Sequence, residues 1–354
     1  MQLGLLGLPA TGKSTLFRLL TGVDPAGRER PVGVAPVPDR RLEVLAEMFH
    51  PKKVTPAALQ LTELPGFVPG EADRARLNEF FEGVRKSDAL LLVVRAFDDP
   101  AVPFVKEALD PARDVRELEE DLLLADLERV ETVAARLAKN HRRSADEERV
   151  LGILQRCREA LEAERPLREL GIAEDELAAL RGYALLTVKP VIVAVNVGEE
   201  HLRSGDYPGR EALEAYAAER SLVLVTFSAA VEAEIAELEP EERAAFLAEY
   251  GLEAPGVERL ARAAYAAMGL ISFLTAGEDE VRAWPIRRGT PAREAAGKIH
   301  SDIARGFIRA EVVAFEDLVR CGSLKRAREE GLLRLEGKDY VVQDGDVISF
   351  RFNV

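Results

Sequence analysis

Gly7-Leu8-Pro9-Ala10-Thr11-Gly12-Lys13-Ser14 is the stretch on which the fold turns. It fits G-x-x-x-x-G-K-[ST]. It lies between a short apolar run, QLGLLG (2–7), and TGKSTLFRLLTG (11–22), whose Leu16, Leu19 and Leu20 share one helical face before Gly22 stops the helix. A strand, a glycine-rich loop and a helix in that order make the pattern a phosphate-binding loop. The glycines let the backbone close around an anion with its N–H groups inward, and the helix N-terminus adds partial positive charge. Contacts to phosphate are expected from Leu8, Pro9, Ala10, Thr11, Gly12, Lys13, Ser14 and Thr15. Lys13 is expected to reach the β- and γ-phosphates of ATP or GTP, and Ser14 to hold Mg²⁺.

Outward from the loop, an α/β pattern begins. Arg40 to Phe49 reads as an amphipathic helix, Ala57 to Leu64 as a strand, residues 71–86 as a helix, and Ala89 to Val94 (ALLLVV) as a central parallel strand. From about 114 to 182 the composition is Leu, Ala, Glu and Arg. Leu118, Leu122, Ala125, Val133 and Leu137 outline one long helix, and Val150, Leu154, Cys157 and Leu161 a second, suggesting an antiparallel helical hairpin. Strand signals return at Pro190 to Asn196 and Leu222 to Phe227, with helices at about 210–220, 231–249 and 256–268. From about Gly269 the texture is that of a small α+β domain.

Several further segments bear on nucleotide chemistry. Glu63-Leu64-Pro65-Gly66 closes a strand where P-loop GTPases have D-x-x-G; Glu63, one methylene longer than Asp, stands where it can reach Mg²⁺ through water. Phe67 follows where Ras-like enzymes keep a water-orienting glutamine, and VDPAGRERPV after Gly22 has no Mg²⁺-binding threonine. Asn196-Val197-Gly198-Glu199 follows a strand where GTPases have N-K-x-D, with Val for the ring-covering Lys and Glu for the guanine-reading Asp. Ser228-Ala229 resembles the loop behind the base. Base contacts are thus expected from Asn196, Val197, Glu199, Ser228 and Ala229, with the Asn196 amide free to turn toward adenine. No catalytic residue is identified.

The 354 residues, 47% of them apolar, allow two or three domains and a sizeable core. A net charge of −14 argues against non-specific coating of nucleic acid and gives no basis for reading DNA sequence. Locally basic segments remain at Arg287, Arg288, Arg293 and Lys298, and at Lys325, Arg326 and Arg328. No window approaches the ~18–20 apolar residues of a membrane span. The N-terminus reads as a core strand rather than a signal peptide, so a cytoplasmic location with Cys157 and Cys321 reduced is expected. His50, His141, His201 and His300 are scattered, without metal-ligand spacing.

With these pieces in order, the chain resembles YchF-type proteins, the Obg-related branch of P-loop GTPases whose members commonly hydrolyse ATP. The likeness rests on GLPATGKSTLFRLLTG, on VGVAPVPDRRLEVLAEMFHPKKVTPA, on LISFLTAGEDEVRAWPIRRGTPAREAAGKIHSDIARGFIRAEVVAFEDL and on RLEGKDYVVQDGDVISFRFNV. The family's NVxE motif matches Asn196 to Glu199, and its hydrophobic residue in place of the catalytic glutamine matches Phe67. The resemblance implies an α/β P-loop NTPase (TRAFAC GTPase-like) domain at 1–100 and 185–268, a coiled-coil-like helical insertion at 101–184, and a C-terminal β-grasp (TGS) domain at 269–354. It also implies Mg²⁺ with ATP or GTP, and ribosome or RNA association through the TGS domain. The family's D-I-A-G-L and its threonine-bearing switch are replaced here by ELPGF and a shortened VDPAGRERP, the marks of a divergent member. A slow ATPase, a nucleotide-binding adaptor without useful hydrolysis, a GTP-binding protein and, less well matched, a metabolite kinase are the readings left open.

Overall fold

A computed structural model describes residues 1–66, 68, 74–140 and 142–353. In chain order the elements are β1 (Gln2–Leu6), α1 (Lys13–Thr21), β2 (Val32–Val37), α2 (Arg40–Phe49), β3 (Lys53–Thr55), β4 (Ala57–Glu63), α3 (Arg74–Lys86), β5 (Ala89–Ala96), α4 (Pro111–Ala138), α5 (Ala145–Glu162), α6 (Glu174–Leu180), β6 (Val191–Val197), α7 (Glu199–Ser204), α8 (Arg210–Glu219), β7 (Val223–Phe227), α9 (Ala229–Glu237), α10 (Pro240–Glu249) and α11 (Gly256–Ala267). They continue with β8 (Leu270–Ala276), β9 (Glu280–Arg287), α12 (Ala292–Ile299), α13 (Ser301–Arg305), β10 (Phe307–Ala314), α14 (Phe315–Cys321), α15 (Leu324–Glu329), β11 (Arg334–Glu336) and β12 (Asp346–Phe352).

Two compact units result. The first comprises Met1–Gly33 and Gln60–Ala264, the second Val34–Leu59 and Tyr265–Val354. The excursion Val34–Leu59, read from sequence as part of the nucleotide-binding domain, thus groups with the C-terminal residues. The reason is non-local: β3 adds to the far edge of the C-terminal sheet, parallel to β9, and Arg41 of α2 pairs with Asp344 at 3.0 Å.

The first sheet has the order β2-β4-β1-β5-β6-β7. From β4 to β7 its neighbours run parallel, in registers such as Leu3 with Leu61, Leu92 with Val193 and Val193 with Leu224. Every residue of β5 and β6 is buried, as expected of parallel strands covered on both faces. Leu6, Leu92, Val94, Val193 and Val195 pack with Val115, Leu118 and Leu122 from the first half of α4. The second half of α4 turns to α5, where Val133, Leu137, Leu154, Cys157 and Leu161 share a separate core. The hairpin is defined at its ends. Asp110 caps α4 ahead of Pro111, and Ser144 with Glu147 forms a capping box on α5. The single helix expected over 231–249 is two, α9 and α10, with Pro240 opening the second.

The second unit holds a mixed sheet, β11-β10-β12-β8-β9-β3. β8 and β9 form a hairpin, and β12 runs parallel to β8 beside it. Ala292 and Ala295 of α12 pack on Ile271, Phe273, Ile286, Val312 and Ile348. A hairpin, a helix across the sheet and a returning central strand make this a β-grasp arrangement. β2 and β3 lacked a sequence reading. β2 does carry the alternation of exposed and buried residues of a half-buried strand, masked by its interior proline.

Candidate functional site

The loop between β1 and α1 depends on backbone that only certain residues tolerate. Gly7 has φ 148 and Gly12 φ 95. A Cβ at Gly7 would lie 2.3 Å from the Val93 carbonyl oxygen, and one at Gly12 2.4 Å from Asn196 Nδ2. Ala10 takes φ 62 without being glycine, a strain of about 1 kcal/mol of the kind concentrated at binding sites. Thr11 Oγ1 donates to the Leu8 carbonyl at 3.0 Å, closing the loop. Gly12 caps α1 without a side-chain partner, which leaves the first-turn N–H groups for an anion.

Lys13 is 7% exposed. Its Nζ donates to the carbonyls of Gly7 at 3.0 Å and Leu8 at 2.9 Å. Burial pushes its pKa down to about 8, and the nearby Glu63 carboxylate offsets only part of that shift. Triphosphate affinity is therefore expected to fall as pH rises through about 8, by up to about tenfold per unit, because binding must then restore the lost proton. Titrations of ATP at pH 7, 8 and 9 under constant Mg²⁺ check this. An affinity unchanged to pH 9 would show that Lys13 does not meet the phosphate as a cation.

Beside Lys13, Ser14 Oγ donates to Glu63 Oε1 at 2.6 Å. Glu63 is buried at the end of β4, and its Oε2 has no hydrogen-bond partner among the described residues. A buried carboxylate oxygen without a partner, next to a hydroxyl, is a donor set suited to a hard cation that completes its shell with phosphate and water. Among the described residues no three His, Cys, Asp or Glu side chains converge to hold a metal by themselves. Gly66 backs onto the loop, where a Cβ would lie 3.5 Å from Lys13 Nζ. Phe67 and His141 lie outside the described residues.

Two clefts flank the loop. One of about 590 Å³ is lined by Gly12, Lys13, Ser14 and Thr15 and by Val197, Glu199, Ser228 and Ala229 of the base-side segments, with Phe97 and Asn196. The other, of about 430 Å³, is lined by Ser14, Thr15, Glu63 and Gly66 and by Asp24, Pro25, Ala26, Arg28, Glu29 and Pro31. Ser14 and Thr15 face both. The sequence-predicted residues on the two sides of the phosphate loop are thus brought together.

Asn196 behaves differently from the expectation that its amide turns toward a base. Its Nδ2 donates to the Thr11 carbonyl at 3.0 Å and its Oδ1 accepts from Ala229 N–H at 3.0 Å. At 2% exposure, both ends are committed to the backbone of the phosphate loop and of α9. Glu199 is also engaged, since its Oε1 accepts from the Tyr250 hydroxyl at 2.9 Å and lies 3.2 Å from Arg203.

Sequence reasoning missed Arg95. It is the penultimate residue of β5, is 2% exposed, and donates to the carbonyls of Phe97 at 3.0 Å, Ala10 at 3.2 Å and Val102 at 2.9 Å. Its guanidinium lies 4.3 Å from the Phe97 ring centre and 5.1 Å from that of Phe104. It locks the phosphate loop to the segment that walls the larger cleft. The signal was an arginine near the end of an otherwise all-apolar strand.

Comparison with known proteins places these features. The family model YchF-GTPase_C, described as "Protein of unknown function (DUF933)", matches residues 270–353, and MMR_HSR1, described as "50S ribosome-binding GTPase", matches residues 2–134. "Ribosome-binding ATPase YchF" of Bacillus subtilis is 42% identical over 99% of both chains. "Obg-like ATPase 1" of Oryza sativa subsp. japonica is 35% identical, over 100% of this chain and 92% of its own. The solved structure of the Schizosaccharomyces pombe YchF GTPase superposes with a TM-score of 0.88 at 30% identity, covering 99% of this chain and 97% of that one.

Proposed function

Because the chain belongs to the YchF family, we propose that it binds ATP with Mg²⁺ at Leu8 to Thr15, turns it over slowly, and acts at the ribosome in the cytoplasm. The observation that carries this reading is the phosphate loop, with Lys13 buried behind it and the Ser14–Glu63 pair at its side. Lys13 supplies charge to the phosphates, and the α1 N–H groups donate to their oxygens. Ser14 and Glu63 would hold Mg²⁺, whose chemistry is to neutralise charge on the phosphate oxygens. Slow turnover is supported by the phosphate-end cleft, where no histidine or glutamine stands among the described lining residues. Single-turnover hydrolysis measured beside ATP affinity tests it. Binding with turnover below about one per hour would leave the adaptor reading, and failure to bind would end both.

The base side favours ATP at least equally with GTP. Guanine needs a carboxylate that accepts two N–H groups, and an unpaired buried donor costs ~1–3 kcal/mol. The Glu199 carboxylate already serves Tyr250 and Arg203, while Val197, Ser228 and Ala229 give the cleft apolar and small walls. Titration of ATP and GTP at one Mg²⁺ concentration should give affinities that are equal or favour ATP. A preference for GTP of tenfold or more would overturn the base assignment.

The Bacillus subtilis relative is named as ribosome-binding, and the second unit offers the cations for such contact. Arg287, Arg288 and Lys298 are exposed and have no ion-pair partner among the described residues. Arg293 is partly spent on the Ala304 carbonyl at 3.0 Å. Replacing all four with alanine should lower co-sedimentation with ribosomes and flatten its salt dependence. Equal co-sedimentation at every salt concentration would remove them from the interface. Among the described residues, no helix is long and apolar enough to cross a membrane.

A further inference from the structure

The geometry points to Arg18 and Arg28 as a pair of cations that read the terminal phosphate, so that the site tells triphosphate from diphosphate by charge where the switch threonine is missing. The inference rests on the nucleotide reading above. If the base occupies the larger cleft, the phosphate chain runs over Lys13 and Ser14 and ends in the smaller one, beside Glu63 and Gly66. Arg18 and Arg28 both line that smaller cleft.

Their placement follows from local structure. Arg18 is four residues after Ser14 on α1, so both stand on one helical face. Arg28 is set by a turn: its N–H donates to the Pro25 carbonyl at 3.2 Å, and Gly27 between them has φ 73. That is the signature of a type II turn, with glycine at the position that needs positive φ. The Asp24 carboxylate accepts from Ala26 N–H at 3.0 Å at the start of this turn. Past it, Glu63 N–H donates to the Pro31 carbonyl at 3.0 Å, pinning the end of the loop next to the Ser14–Glu63 pair.

The charges are unspent. Arg30, two residues on, pairs with Glu79 at 3.1 Å. Neither Arg18 nor Arg28 has an ion-pair partner among the described residues. The carboxylates facing the same cleft are Asp24, Glu29 and Glu63. Asp24 is held by its turn and Glu63 by Ser14. A guanidinium has a planar fork of N–H donors that fits phosphate oxygens, and the added charge of a γ-phosphate is what two such groups can sense.

The test compares adenylyl imidodiphosphate, a non-hydrolysable triphosphate, with ADP under constant Mg²⁺. Wild type, Arg28→Ala, Arg28→Lys and the double variant Arg18→Ala/Arg28→Ala are titrated, with thermal melting to verify folding. The double variant should lose tenfold or more in affinity for the triphosphate while ADP affinity stays within twofold, and Arg28→Lys should retain more than Arg28→Ala. Unchanged triphosphate affinity, or equal losses for both nucleotides, would overturn the proposal while leaving nucleotide binding intact. A wild-type protein that binds neither nucleotide would overturn the nucleotide reading itself.

Discussion

Lys13→Ala should raise the Kd for MgATP by roughly 10- to 150-fold while leaving the protein folded. A hydrogen bond to a charged group is worth about 1.5–3 kcal/mol, and each 1.4 kcal/mol is tenfold in affinity. Stability moves the other way. Lys13 is buried with two carbonyls as its hydrogen-bond partners, and its pKa in the folded chain is about 8 against an ordinary 10.5. Between those values the unfolded chain holds the proton and the folded one does not, so stability rises with pH across this window. Below pH 8 the charged ammonium is a cost to folding that serves binding. Removing it should therefore leave the melting temperature at pH 7 unchanged or raised. Calorimetric titration and thermal melting at pH 7 check both halves. ATP affinity within twofold of wild type would mean that the loop no longer serves phosphate.

Asn196→Ala should be costly in a different way. Without the amide, the Thr11 carbonyl and the Ala229 N–H lose the partners they have at 3.0 Å in a buried site. Each orphaned group costs ~1–3 kcal/mol. A loss of about 2–4 kcal/mol in stability corresponds to a melting temperature lower by roughly 4–16 °C for a domain of this size. Asn196 acts by holding the phosphate loop against the base-side segment. Affinities for ATP, GTP and ADP should therefore fall together, by about tenfold or more each. Loss of ATP affinity with GTP affinity preserved would instead make Asn196 a reader of the base.

The parts of this site that were legible in the sequence are those encoded locally. Gly7 to Ser14 carries its own geometry, because Gly7 and Gly12 take the positive φ that glycine allows, and the helix begins one residue later. The buried strands β5 and β6 were plain from their unbroken apolar runs. Other parts depend on contacts that no window of sequence contains. Arg95 meets Ala10 across 85 residues, and Tyr250 meets Glu199 across 51. The same holds for Val34–Leu59, whose membership in the second unit is set by strand pairing at Lys53–Thr55. Asn196 is marked by its motif, but its hydrogen bonds to Thr11 and Ala229 are not. The amide's freedom to turn could be judged only once both neighbouring backbones were in place. Pro240 was a visible break between α9 and α10, overridden by a continuous Glu- and Ala-rich helical pattern on both sides.

The most direct test of the central claim is a calorimetric titration of ATP into the wild-type protein at pH 7, with Mg²⁺ and again with excess chelator. A phosphate loop with Ser14 and Glu63 at its side predicts saturable binding, one nucleotide per chain, that weakens markedly when Mg²⁺ is withdrawn. No binding up to millimolar ATP, or binding indifferent to Mg²⁺, would contradict it.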